Sequence, residues 1–275
     1  MHPDLQRRVQ RYGWDKASAY YEESWQKQLK PAHDLLLETA QVQPGESILD
    51  IAAGTGLITF RLAELTGDGG CILATDISDE MVKIGSQRAK AKGYPHVGFK
   101  RMDAENLDVE DSSFDLVTCA LGIMYFPDPD LALKEMYRVL KPGGRAVVAI
   151  WGSRKKCGWA EIFPIVDARV SSDVCPMFFS LGEQDVIKFP FAKAGFTNIN
   201  IQKIEVNLPY SSDEEACQAS FMGGPVAMAY SRFDEQTKEE AQKEYIESIQ
   251  PYKTATGYDI PGEFVVAIGI KPPSD

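Results

Sequence analysis

Residues 48–56 read ILDIAAGTG: a short apolar run carrying one acid, Asp50, and then two glycines, Gly54 and Gly56. An apolar run of this length suits a buried strand, and glycines directly behind it allow a tight turn and a close approach of backbone to a ligand. QPGES (43–47) before it reads as a turn, and GLITFRLAEL (56–65) after it as an amphipathic helix. The unit is therefore strand, glycine turn, helix. It repeats outward, with CILATDI (71–77), VGFKRMD (97–103), FDLVTCAL (114–121) and RAVVAIW (145–151) as further strands. The helices between them are DEMVKIGSQRAKAKG (79–93), closed by Gly93, and DPDLALKEMYRVLKPGG (128–144), ending at Pro142-Gly143-Gly144. Strands alternating with helices predict an α/β fold with a doubly wound parallel sheet.

The flanks are less regular. Residues 15–42 read as helical, with Ala17, Tyr21, Trp25 and Leu29 recurring about every four residues and Pro31 marking a break or a new first turn. FTNINIQKIEVNL (196–208) alternates like a half-exposed strand and GEFVVAIGI (262–270) reads as the last one. The expected organisation is an N-terminal helical lid (1–42), a ligand-binding core (43–151), a helical insertion (152–194), and the end of the sheet (195–275) carrying a second helical insertion at about 211–258. Insertions so placed commonly cover a site.

Composition narrows the partners. Forty acidic residues against 29 basic give a net charge of −11, which disfavours nucleic acid and anionic lipid. The short basic runs Arg7–Arg8 and Arg154–Lys155–Lys156 read as solvated surface. No run of 18 apolar residues predicts a membrane span, and the N-terminal stretch has no apolar signal core. Five scattered cysteines without CxxC spacing fit a reducing cytoplasm, and His2, His33 and His96 have no metal-ligand spacing, so no metal is expected. His33 reads as surface or structural.

Three readings of the glycine turn compete. A dinucleotide site wants a third glycine where Thr59 stands, and Asp50 would repel a pyrophosphate. A purely structural turn is the second. The third is a cofactor with a positive end and no phosphate, S-adenosylmethionine, for which an acid at the strand end is attractive.

Five stretches in register carry a resemblance. LDIAAGTG, ATDIS, MDAENL, FDLVTCALGIMYFPD and RVLKPGGRAVV, together spanning roughly 45–150, resemble the motifs of class I S-adenosylmethionine-dependent methyltransferases. The small-molecule group related to ubiquinone/menaquinone biosynthesis enzymes is the most similar by pattern. The resemblance implies a Rossmann-like, mostly parallel seven-stranded sheet with its last strand antiparallel. It implies S-adenosylmethionine as cofactor, S-adenosylhomocysteine as product, and a cofactor site from Asp50, Ala52, Ala53, Gly54, Thr55, Gly56, Asp76, Ile77, Met81, Asp103, Ala104, Glu105, Cys119, Ala120 and Leu121. Asp76 would accept both ribose hydroxyls, which suits a carboxylate, and Asp103 with the Ala104 N–H would meet the adenine.

The expected reaction is transfer of a methyl group to a small-molecule acceptor by in-line displacement, through proximity and alignment. Tyr20 or Tyr21 is the candidate near the methyl group, and Trp25, Met124, Tyr125 and Trp151 are candidates for the acceptor wall, fit for an apolar ring or a cationic amine. Alternatives are a quinone-ring C-methyltransferase, a non-catalytic S-adenosylmethionine-binding protein, and, more remotely, a nicotinamide oxidoreductase. Cys119-Ala120-Leu121-Gly122 stands where enzymes acting on nucleobases usually carry Asn/Asp-Pro-Pro-Tyr/Phe, and Asp128 and Asp130 look like turn and helix-cap residues instead of metal ligands. The sequence leaves the oligomeric state open.

Overall fold

A computed structural model describes residues 3–171, 175 and 177–274; His2 lies outside them. Five parallel strands form the centre: β1 (Ser47–Ile51), β2 (Cys71–Asp76), β3 (Val97–Arg101), β4 (Phe114–Ala120) and β5 (Leu140–Trp151). Two long strands, β6 (Thr197–Tyr210) and β8 (Gly257–Ile270), complete the sheet in the order β3-β2-β1-β4-β5-β8-β6, and a two-residue β7 (Lys253–Thr254) pairs with β8. Strand β8 runs antiparallel to both β5 and β6. The expected architecture is therefore the observed one, with β7 added. Every residue of β1 after Ser47 is buried, because helices cover both faces of a parallel sheet.

The helices start and stop for local reasons. Helix α2 (Thr59–Thr66) follows the glycine turn. In α3 (Asp79–Lys92) the Ser78 hydroxyl accepts the Met81 N–H, and Gly93 closes the end in the left-handed conformation, φ 71°. In α4 (Pro129–Val139) the Asp128 carboxylate accepts the Leu131 N–H. The helix stops at Val139; Leu140 to Gly144 belong to β5, so the expected helical stretch to Gly144 is shortened.

Helix α1 corrects the sequence reading most. It runs unbroken from Pro3 to Ala40, with Pro31 inside it. Proline removes one helical hydrogen bond at a cost of about 3 kcal/mol. Here Leu29, Ala32, His33, Leu36, Leu37 and Ala40 are all buried around it, and that packing holds the helix together across the proline.

Between β5 and β6 lie α5 (Ile162–Asp167) and α6 (Lys188–Ala194); between β6 and β7 lie α7 (Asp213–Cys217), a π-helical turn (Gln218–Met222), α8 (Ala227–Tyr230) and α9 (Glu235–Ile249). The second insertion is shorter than the 211–258 expected, since β8 already begins at Gly257. Helix α1 packs against α8 and the π-helical turn, and α5 against α9, so α1 and both insertions meet beyond one end of the sheet.

Candidate active site

The strand order reverses between β1 and β4, and in open α/β sheets the crevice at that point is where ligands bind. The loops leaving β1, β2 and β4 converge there on a cleft of about 730 Å³.

The floor is backbone under constraint. Ala52 and Leu121, neither a glycine, have φ of 54° and 60°, and Gly54 and Gly56 have φ of 57° and 93°. Left-handed non-glycine residues cost free energy and persist where their surroundings dictate them. The Ala53 N–H donates to the Thr75 carbonyl and the Leu121 N–H to the Ala149 carbonyl, at 2.9 and 2.7 Å. A Cβ on Gly122 would lie 2.4 Å from the Ala52 Cβ, so the turn after β4 closes on the glycine turn only because Gly122 has no side chain. Gly56 answers a different need, since a Cβ there would meet the Phe60 ring at 2.6 Å.

Asp76 is the polar centre of the cleft. Its Oδ2 accepts the Gly54 N–H and its Oδ1 the Ser78 N–H, each at 2.9 Å. One backbone bond per oxygen fixes the carboxylate and leaves further lone pairs facing the cleft. Burial pushes its pKa up to about 6, against the pull of the N–H groups of Ser78, Gly54 and Ile77. Ile77 and Met81 beside it also line the cleft, as do Ala52, Gly54, Asp103, Ala104, Ala120 and Leu121.

Several expected site residues lie behind this surface. Asp50 is fully buried and does not rim the cleft: Thr59 and Thr118 hydroxyls donate to its two oxygens at 2.6 and 2.8 Å. Burial raises its pKa to about 6 as well, opposed by those two hydroxyls. Its chemistry is to tie the glycine turn to α2 and β4. Ala53, Thr55 and Gly56 shape the turn from beneath, and Arg88 holds the Thr55 carbonyl at 3.2 Å. Cys119 is enclosed under Gly122, its thiol pushed up to about 12 by burial. Glu105 points away; it accepts the Asp128 N–H at 2.6 Å and pairs with Arg7.

Arg7 corrects the reading of the first basic run. Its Nε lies 2.9 Å from Asp103 Oδ2, and it lines the cleft with Gln10 and Trp14, all from the start of α1. Two more contacts fasten this segment: Arg11 pairs with Asp79, and Asp15 accepts from the Ser78 hydroxyl at 2.6 Å. Arg7 and Gln10 leave no motif in the sequence. Thr75, Met102 and Gly122 also line the cleft and were findable, because each adjoins a residue already singled out at a strand end.

A second chamber, about 340 Å³, opens from the first and shares Trp14, Tyr21, Leu121 and Tyr125 with it. Its remaining walls are Trp25, Leu29, Trp151, Trp159, Phe178, Gly224 and Pro225. Trp151 and Trp159 have ring centroids 4.7 Å apart, and Trp25 stands 6.2 and 6.1 Å from them, edge-on. Among the described residues, no acid, base or histidine lines it. Tyr21 stands at the junction, its ring 3.4 Å from where a Gly54 Cβ would be. Burial raises its phenol, so it is a neutral hydroxyl at pH 7. Of the other expected side chains, Trp25, Tyr125 and Trp151 do line this chamber. Tyr20 faces solvent and Met124 is core, because neighbours of an inward-facing residue on a helix or turn point elsewhere. His33 is core too, held neutral by burial with a pKa lowered to about 4.

Comparison with known proteins agrees with this geometry. The model of the ubiE/COQ5 methyltransferase family matches residues 25–165. The "Ubiquinone/menaquinone biosynthesis C-methyltransferase UbiE" of Teredinibacter turnerae is 36% identical over 156 residues, which is 56% of this chain and 61% of that protein. The match thus spans about three fifths of the relative's length. Among solved structures, a putative methyltransferase from Bacillus halodurans superposes with TM-score 0.61 at 20% identity, covering 87% of this chain and 98% of that one. Haemonchus contortus phosphoethanolamine N-methyltransferase 2, in complex with S-adenosyl-L-methionine, gives 0.62 at 19% identity over 94% of this chain and 57% of that one. Those two likenesses show a shared fold. With more than half the chain under one family model and the strand-end floor of the cleft lying within that stretch, the chain belongs to the ubiE/COQ5 methyltransferase family.

Proposed function

We propose that the protein transfers a methyl group from S-adenosylmethionine to a small acceptor held in the tryptophan-walled chamber. The observation that carries this is Asp76, a buried carboxylate fixed by the Gly54 and Ser78 N–H groups with lone pairs left over at the cleft surface. A vicinal diol is the partner such a carboxylate suits. Met102 and Ala104 offer apolar contact for an adenine, and the glycine turn gives room for the methionine end.

The sulfonium supplies an already activated methyl group. Held by Asp76 and the glycine turn, it would pass that methyl to the acceptor's electron pair, the carbon–sulfur pair going to sulfur and the proton displaced from the acceptor to solvent. The chain's part is alignment and exclusion of water. Tyr21 and Tyr125, at the junction of the two spaces, would align donor and acceptor, and Trp14 would roof them. A second reading, methylation of a quinone ring carbon, is favoured by the name of the Teredinibacter turnerae relative. Titration calorimetry with S-adenosylhomocysteine tests the donor site: wild-type protein should bind it and Asp76→Ala should bind it at least tenfold more weakly. Equal affinities would remove the reading.

A further inference from the structure

The donor cleft has a floor, the glycine turn after β1, and a cover, the first half of α1. Tyr21 is where the two meet, its ring 3.4 Å from where a Gly54 Cβ would be. A glycine has no side chain to engage a ring, so this contact alone fixes neither the height nor the tilt of the phenol. A side chain from α3 supplies what the contact lacks. Arg88 Nη1 and Nη2 donate to the two carboxylate oxygens of Glu22, at 2.5 and 2.7 Å, and Glu22 directly follows Tyr21. The same Nη1 donates to the Thr55 carbonyl at 3.2 Å and to the Thr55 hydroxyl at 3.3 Å, and Thr55 directly follows Gly54. The guanidinium carbon also lies 5.4 Å from the centre of the Phe60 ring, in the first turn of α2.

One planar cation thus ties the residue beside Tyr21 to the residue beside Gly54. Arginine suits this task because two parallel bonds to a carboxylate set an orientation, where the point charge of a lysine sets only a distance. As a contribution to folding the pair is minor, since the two side chains are 27 and 34% exposed and solvent screens them. Placement is where it counts: a misplacement of about 1 Å at the reacting atoms can cost about a hundredfold in rate. The other polar fasteners of α1, Arg7, Arg11 and Asp15, sit on earlier turns of the helix, away from Tyr21.

Resting on the methyltransferase reading above, we infer that Arg88 and Glu22 are positioning residues. With Thr55 they gauge the height of Tyr21 above the glycine turn, and through it the contact of the phenol with the sulfonium end of the donor. Neither is among the described residues lining the cleft, so both act through Tyr21.

Two ligands read that contact. S-adenosylmethionine has a positively charged sulfur and a methyl group that S-adenosylhomocysteine lacks, and an aromatic ring attracts such a centre. The ratio of the two affinities, measured by titration calorimetry on the full chain, therefore reports where Tyr21 stands, whereas a general loosening of the fold weakens both ligands alike. Tyr21→Leu should shift the ratio against S-adenosylmethionine by about fivefold. Arg88→Gln should shift it by about threefold in the same direction and leave S-adenosylhomocysteine within about twofold. On charge alone, loss of the Arg88 cation would favour the positively charged ligand, so the expected shift has the opposite sign. Glu22→Gln should match Arg88→Gln, and Arg88→Lys, which keeps the charge without the fork, should shift the ratio nearly as far. In Tyr21→Leu the reporting ring is gone, so adding Arg88→Gln should shift the ratio no further. Equal weakening of both ligands in Arg88→Gln, an unchanged ratio there or in Arg88→Lys, or a further shift in the double variant overturns the proposal. If the wild-type protein binds neither ligand, it is the donor reading that has failed.

Discussion

The two adjoining spaces are built by opposite means. The larger is floored by backbone: strained turns at Ala52 and Leu121, glycines where a Cβ would collide, and a carboxylate fixed by two N–H groups. The smaller is walled by aromatic side chains from α1, the ends of β4 and β5 and the first insertion, closed by Gly224 and Pro225 of the second, with no charge among its described lining residues. Backbone geometry holds a ligand of fixed shape, and side chains on insertions can be changed without disturbing the sheet. The division suits one constant ligand and one that varies among relatives.

The largest effect should come from breaking the aromatic side alone. Trp159→Ala removes a buried ring packed against Trp151, Phe163 and Phe178. Such truncations cost about 3–5 kcal/mol. The lower end is expected here, since an indole N–H with no partner among the described residues goes as well. Denaturant titration should show the loss, while the affinity for S-adenosylhomocysteine in the folded variant stays within about twofold. A large fall in donor affinity would mean that the two spaces are one energetic unit.

Breaking the donor side comes next. Asp76→Ala should weaken S-adenosylhomocysteine by about 1.5–3 kcal/mol, the scale for hydrogen bonds to a charged group. It should leave the quenching of tryptophan fluorescence by small rings largely intact, and calorimetry beside that titration separates the two.

The pH dependence sharpens the contrast. Burial raises the Asp76 carboxyl to about 6, so in the free protein it takes up a proton as pH falls through that value. A diol donates to the ionised form. Donor affinity should therefore be flat above about pH 7 and fall by up to tenfold per unit below 6. Binding to the uncharged aromatic chamber should not change over that range. Asp50 titrates in the same range, but its oxygens already take the Thr59 and Thr118 hydroxyls. Asp50→Asn should keep the slope and Asp76→Asn should lose it. For folding itself the sign is the reverse. Both acids hold protons more tightly folded than unfolded, so their contribution to stability falls as pH rises from about 4 to 6.

The same contrast explains what the sequence discloses. Strand-end acids and the glycine turn are local: a residue's place is fixed by its neighbours in the chain, and Asp76, Asp103 and Gly54 stand where the pattern puts them. Asp50 shows the limit of that logic. Position four before Gly54 says that an acid is near the turn, but only the registry of Asp50 with Thr118 across β1 and β4 shows that hydroxyls already occupy it. The aromatic chamber is a long-range construction. Trp14, Trp159 and Gly224 share no spacing rule, and which face of α1 turns inward is set by the sheet and the insertions it packs against. Pro31 misleads for the same reason: a local rule for helix ends yields to burial spread along the whole helix.

The smallest effect concerns the strap across the mouth of the larger space. Arg7 sits 2.9 Å from the Asp103 carboxylate, which lines the cleft, and also pairs with Glu105. Its side chain is 27% exposed and that of Asp103 is 32%, so solvent screens the pair, and contacts of this kind contribute about 0–1 kcal/mol. Arg7→Gln removes an attraction that holds α1 over the cleft, and the same change frees a carboxylate oxygen for the ligand. The two effects oppose one another at equilibrium but act together on the rates, since a looser strap speeds both entry and exit. Equilibrium affinity for S-adenosylhomocysteine should stay within about fivefold, while stopped-flow association and dissociation both quicken. A selective rise in dissociation alone would mean that Arg7 touches the ligand itself and belongs to the donor site.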